Sequence, residues 1–143
     1  ARLFDKDDMV LIHDAIRPMV SNDIISDNIA KCKLYGNATV VAPCTTVVLE
    51  KTDEAFSEKV INRDNLLLTQ TPQAFILNDI LSAHKEAKEK GITDSVASCS
   101  LYIELGRKVF YSVGDETNIK LTRPGDIQIF KALLSTQKSE WMK

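Results

Sequence analysis

Glycine is scarce in this sequence, five residues in 143, and they stand far apart. Neither of the glycine-rich phosphate loops, dinucleotide or Walker type, can be assembled from them. These residues therefore lack the usual means of cradling a nucleoside triphosphate. An excess of one charge is lacking too. Lys and Arg number 18 against 20 Asp and Glu, a formal charge of −2, which argues against a general nucleic-acid binder. Apolar runs stay at a few residues, as in Val47-Val48-Leu49 and Leu66-Leu67-Leu68, so no membrane span is expected. The first residues carry no signal-peptide pattern. Three cysteines, Cys32, Cys44 and Cys99, are odd in number and too dispersed for a zinc knuckle. They read as buried free thiols in a reducing cytoplasm.

What is present suits one globular domain with a sizeable core. Met9-Val10-Leu11-Ile12 is a continuous apolar run, as in a buried strand, and it ends abruptly in His13-Asp14-Ala15-Ile16-Arg17-Pro18. Ser21 or Asn22 caps a helix with Ile24, Ile25, Ile29 and Cys32 at helical spacing, and Gly36 sits where it stops. Ala38 to Ala42 reads as a second strand, halted by Pro43. From Thr45 to Thr69, the β-rich segments Val47-Val48-Leu49 and Lys59-Val60-Ile61 are split by polar residues, the pattern of an arm leaving the main body. The apolar positions of such an arm need cover, which predicts a homodimer through residues 45–69. Beyond it, Asn78 caps a helix over Asp79 to Lys90. A second helix follows the cap Thr93 and ends at Gly106, Lys108 to Val113 forms a strand, and Pro124 opens a last helix. The order predicts an α/β layered fold with a mostly parallel sheet.

Ligands in such folds sit beyond the carboxyl ends of the strands. Asp14 and Arg17 fall there, a carboxylate suited to Mg²⁺ and a guanidinium suited to phosphate, or else a structural ion pair. Thr71-Pro72-Gln73 is expected at another strand end, with the Thr71 hydroxyl held on stiff backbone. Thr93-Asp94 at a helix start would offer a phosphate site, or plain capping. Lys120, between the last strand and the last helix, either neutralises phosphate or faces solvent. His13 and His84 have no nucleophile elbow beside them, which argues against a hydrolase triad, and the runs 85–90 and 138–140 read as solvated faces.

In order and spacing, His13-Asp14-Ala15-Ile16-Arg17-Pro18, Thr71-Pro72-Gln73-Ala74-Phe75, Thr93-Asp94 and Asn118-Ile119-Lys120-Leu121-Thr122-Arg123-Pro124-Gly125-Asp126 resemble the methylerythritol-phosphate and ribitol-5-phosphate cytidylyltransferases. The resemblance implies a Rossmann-like three-layer nucleotidyltransferase fold with a projecting β-arm. It implies Mg²⁺-assisted transfer of CMP from CTP to a polyol phosphate: methylerythritol 4-phosphate for isoprenoid synthesis first, ribitol 5-phosphate as the alternative. By the same resemblance Asp14 binds polyol hydroxyls near the metal, and Arg17 holds the acceptor phosphate. Thr46, Thr71 and Thr93, with Asp94 beside it, belong to the acceptor site. Lys120 meets phosphate oxygens, and Arg63 reaches the neighbouring subunit's site. Family members open with a glycine-rich loop that wraps the CTP phosphates, and residues 1–143 hold no such loop. They are expected to be the C-terminal portion of a single nucleotidyltransferase domain, unable on their own to complete the reaction. The segment Ser95 to Ser100 also departs from the family pattern. A non-catalytic phosphate-binding or dimerisation module is the reading from another class.

Overall fold

The computed structural model describes residues 4–141. Its order is β1 (Met9–Ile12), α1 (Asn22–Tyr35), β2 (Asn37–Pro43), β3 (Val48–Glu50), β4 (Lys59–Ile61), β5 (Leu67–Ile76), α2 (Leu77–Glu89), α3 (Ser98–Glu104), β6 (Tyr111–Val113) and α4 (Pro124–Trp141). Four strands form the main sheet in the order β1-β5-β2-β6. β1, β2 and β6 share one direction, and β5 runs against both of its neighbours. The sheet is therefore mixed rather than uniformly parallel. β3 and β4 pair separately, as an antiparallel hairpin, which is the predicted arm.

Alternation along the strands sorts side chains to two faces. Ala38 of β2 and Ala74 of β5 pack on Cys32 of α1. Phe75, the next residue along β5, packs on the other face with Ile80, Ala83 and Ala87 of α2 and Leu101 and Tyr102 of α3. The result is an α/β/α sandwich. Phe75 is fully buried and its ring lies 4.8 Å from that of Tyr102, so its truncation to Ala would cost about 3–5 kcal/mol. α1 starts as predicted, with the Ser21 hydroxyl accepting the Ile24 N–H, and ends on Gly36 at φ +86°, a left-handed turn only glycine takes freely.

Several elements differ from the sequence reading. Thr71-Pro72-Gln73 lies inside β5, not at a strand end. Proline in a central strand removes a ladder donor, but here the ladder is already interrupted. Thr39 pairs with Gln73 and Val41 with Thr69, so three residues of β5 bulge opposite Val40 alone. β1 has meanwhile made its last pair at Gln73. α2 starts at Leu77 with no side-chain cap, so Asn78 does not cap it. α3 starts at Ser98, because the Gln73 side chain accepts the Cys99 N–H and the Ser100 hydroxyl accepts the Ala97 N–H. Thr93-Asp94 thus lies in a loop, not at a helix N-terminus. β6 is shorter than the 108–113 expected. The side chains of 138–140 fall outside the described residues.

The three cysteines are free and buried, as expected. Burial pushes the Cys32 thiol up from 9.0 to about 11, with Asp79 adding to the shift. A raised folded-state value means the native state holds the proton more tightly. The contribution is present below about pH 9 and is lost as pH rises towards 11. Denaturation midpoints should fall across that window in wild type and fall less in Cys32→Ala, once other groups are matched.

Candidate active site

Because β1, β2 and β6 point the same way, the segments that follow them meet at one edge of the sheet. The loop after β1 brings His13, Asp14 and Arg17, and the loop after β6 brings Asp115, Asn118 and Lys120. The bulge in β5 presents Thr71 between them, as bulges beside functional sites commonly re-aim a side chain. The Thr71 hydroxyl accepts the Asp14 backbone N–H at 3.0 Å. The same oxygen lies 2.9 Å from His13 Nδ1, and His13 Nε2 lies 3.1 Å from the Arg17 carbonyl. A carbonyl only accepts, so in the neutral imidazole Nε2 carries the proton and Nδ1 takes that of the Thr71 hydroxyl. That assignment follows from the partners. Thr71 is held through both its hydroxyl lone pair and its proton.

Asp14 carries the only carboxylate of the inner cluster. Its Oδ2 lies 3.1 Å from Lys120 Nζ and 3.4 Å from Arg17 Nε. The second contact is an ion pair and not a hydrogen bond, so Arg17 Nε is buried with no hydrogen-bond partner. Side-chain exposure separates the two cations, at 11% for Arg17 and 44% for Lys120. Arg17 is built in, since its Nη1 donates to the Asn118 carbonyl at 2.6 Å. Among the described residues, Lys120 is held by the Asp14 ion pair. One carboxylate against two cations leaves a net positive charge, and the half-exposed Asp14–Lys120 pair is worth only about 0–1 kcal/mol to the fold. An anionic ligand could rearrange it at little cost.

The loop that delivers Lys120 is anchored on β5. Gln70 Nε2 donates to the Asp115 carbonyl at 2.8 Å, and its Oε1 accepts the Asp115 N–H at 3.3 Å. Asn118 is fully buried and donates through Nδ2 to Gln70 Oε1 at 3.1 Å and to the Thr71 carbonyl at 3.0 Å. Further on, the Leu121 N–H donates to the Ile16 carbonyl at 2.9 Å. The approach is tight at Gly114, where a Cβ would come within 2.6 Å of Gln70 Oε1 and 2.7 Å of the Val41 carbonyl. The outer carboxyl of Asp115 is held below its usual range, chiefly by the Thr117 hydroxyl and then by the Thr117 N–H.

Of the residues predicted for the site, Asp14, Arg17, Thr71 and Lys120 come together. Thr46 follows β2 at the same edge, its hydroxyl 4.0 Å from Cys44 Sγ, and makes no hydrogen bond to the cluster. Thr93 donates to Asp94 at 3.1 Å, and neither bonds to the cluster among the described residues. Arg63, at the base of the arm, donates to the Thr45 carbonyl at 2.7 Å. His13, Gln70 and Asn118 are the site's unforeseen members. Asn118 stood next to the singled-out Lys120, but nothing in the sequence marks it as buried. A cavity of about 500 Å³ lies on the α3 face between Thr39, Leu67, Arg107 and Tyr111, and no cluster residue lines it.

The family model for 2-C-methyl-D-erythritol 4-phosphate cytidylyltransferase (IspD) matches residues 2–136. The chain belongs to this family. Ribitol-5-phosphate cytidylyltransferase of Vibrio parahaemolyticus is 39% identical over 137 residues, covering 95% of this chain and 57% of that protein. 2-C-Methyl-D-erythritol 4-phosphate cytidylyltransferase of Clostridium acetobutylicum is 39% identical over 127 residues, covering 88% of this chain and 55% of that protein. The crystal structure of the 2-C-methyl-D-erythritol 4-phosphate cytidylyltransferase from Thermus thermophilus superposes with a TM-score of 0.80. It is 31% identical and covers 87% of this chain and 61% of that one. The α/β fold is thus the one the IspD family uses. The chain spans little more than half the length of the curated relatives it matches.

Proposed function

We propose that this chain forms the acceptor side of an enzyme that transfers CMP from CTP to a polyol phosphate. A phosphate oxygen of the acceptor attacks the α-phosphorus of CTP. The bond from that phosphorus to the β-phosphate bridging oxygen breaks, giving a CDP-polyol and pyrophosphate. The chemistry needs positioning and charge neutralisation more than a covalent nucleophile. The observation that carries the reading is the cluster itself, Asp14 flanked by Arg17 and Lys120 at the carboxyl edge of the sheet in a chain of this family. Arg17 is rigid enough to orient the acceptor phosphate, the Asp14 and Thr71 oxygens suit polyol hydroxyls, and half-exposed Lys120 can follow developing charge on the phosphates.

A metal enters through Asp14. Among the described residues no group of three or more His, Cys, Asp or Glu could cage an ion. The single Asp14 carboxylate, beside cations suited to phosphate, fits Mg²⁺ in the mode where one carboxylate shares it with substrate phosphates and water. When bound there, Mg²⁺ would neutralise phosphate charge. The buried free thiols suit a cytoplasmic setting.

Between acceptors, we give ribitol 5-phosphate precedence, because the relative of that name aligns over the longer stretch, 137 residues against 127. Methylerythritol 4-phosphate, the sequence expectation, is the second reading, favoured by the family description. Pyrophosphate release by the full natural chain, with CTP, Mg²⁺ and each acceptor in parallel, tests both. Turnover with either supports the reaction and ranks the acceptors; silence with both rejects it.

The arm supports a homodimer. Val47 and Val60 on it are 71% and 65% exposed, more apolar surface than a lone hairpin sustains. Arg63, exposed at its base, would then reach the partner's acceptor. Arg63→Ala should lower kcat/KM for the acceptor about tenfold with folding intact, as for a lost charge-assisted hydrogen bond. Unchanged kinetics would rule out a composite site.

A further inference from the structure

Two asparagines in this fold are equally and completely buried. Asn28 donates through Nδ2 to the Ala38 carbonyl at 3.0 Å and the Ser112 hydroxyl at 2.8 Å, tying α1 to the sheet. Asn118 donates through Nδ2 to Gln70 Oε1 and the Thr71 carbonyl. Each leaves its Oδ1 without a partner. As contributors to stability they are near equivalents, two amide bonds gained and one buried oxygen unsatisfied. Their surroundings differ. The backbone carbonyl of Asn118 receives the 2.6 Å bond from Arg17 Nη1, and Lys120 follows two residues later.

We propose that Asn118 is a positioning residue for the transfer reaction, setting where Arg17 and Lys120 stand relative to Asp14. This role rests on the cytidylyl-transfer reading of the site. Among the described residues, Lys120 itself is tethered by one ion pair, and Arg17 Nε has no hydrogen bond. The Asn118 carbonyl fixes the Arg17 guanidinium beside its ion pair to Asp14, and the backbone around residue 118 carries Lys120. The contacts that fix this backbone on β5 are the two Asn118 amide donations and the Gln70–Asp115 pair. Gln70 Oε1 is shared between Asp115 and Asn118, so both backbone anchors converge on one β5 side chain. Gly114, with no room for a Cβ against Gln70, shows how closely this loop must approach the strand. A shift of about 1 Å in a positioned group can cost about 100-fold in rate.

The test compares Asn118→Ala with Asn28→Ala in the full natural chain. Both should lose similar thermal stability. Only Asn118→Ala should lower kcat, by about 10- to 100-fold, with CTP KM within about threefold of wild type and acceptor KM raised as Arg17 loses its place. Asn118→Ser, which keeps one hydroxyl donor, should fall between and serves if the alanine variant does not fold. A second readout needs no turnover: the Arg17 guanidinium proton resonances should be protected from solvent exchange in wild type and Asn28→Ala, and lost in Asn118→Ala or Asn118→Ser. Equal kcat in both alanine variants would overturn the proposal, as would protected Arg17 resonances in the Asn118 variants. If wild type itself releases no pyrophosphate, the cytidylyl-transfer reading fails, and the Arg17 resonances still decide whether Asn118 sets this geometry.

Discussion

Lys120→Ala should lower turnover by about a hundredfold or more while leaving the fold intact, as expected when a donor to developing phosphate charge is removed. The two halves of that expectation come from different observations. Lys120 is 44% exposed and its one ion pair, to Asp14 at 3.1 Å, is weakly stabilising, so thermal midpoints should barely move. Its value lies in what it can reach. Of the cluster's two cations it is the one not built into the loop framework, so it can follow charge that moves from ground to transition state. Uniform binding of CTP would change KM alone, whereas the expected loss is in kcat. Steady-state kinetics with saturating CTP separates the two. A loss of tenfold or less would place Lys120 outside the chemistry.

Asp14→Asn should be comparably damaging, by a different route. The amide is nearly isosteric, and the Asp14 backbone N–H can keep its bond to Thr71, so local structure should survive. The charge does not. Arg17 and Lys120 lose their shared counterion, and the proposed Mg²⁺ would lose the Asp14 carboxylate. Turnover should fall about a hundredfold or more, and the Mg²⁺ concentration for half-maximal activity should rise. Titrating Mg²⁺ in wild type and variant checks it. An unchanged Mg²⁺ requirement would remove Asp14 from any metal role and leave it as the counterion of two basic residues.

Much of this was legible in the sequence because local signals and tertiary demands agreed. Ser21 and Gly36 bound α1 as their side-chain chemistry dictates, and the abrupt polarity after Ile12 marks the loop that holds Asp14 and Arg17. Where they disagreed, the sequence misled. Pro72 in β5 breaks the local strand pattern, and only the pairing register reveals that it falls where the ladder is already interrupted. Thr93 looks like a helix cap, but α3 takes its N-terminal partner from Gln73, 26 residues before Cys99. Asn118 stands in a motif of the family resemblance, but nothing local shows that it and Gln70 pair. Their role depends on partners 48 residues apart, a distance no local pattern encodes. Arg63 and the arm stand differently again, since an apolar hairpin implies cover without specifying what provides it.

The most direct test of the account is ³¹P NMR of the full natural chain incubated with CTP, Mg²⁺ and either ribitol 5-phosphate or methylerythritol 4-phosphate. The prediction is a pair of coupled diphosphate-diester resonances from a CDP-polyol with one equivalent of pyrophosphate, both absent in Lys120→Ala at matched time. CTP remaining intact with both acceptors, or decaying to CDP and inorganic phosphate, would contradict it and favour a phosphate-binding module without catalysis.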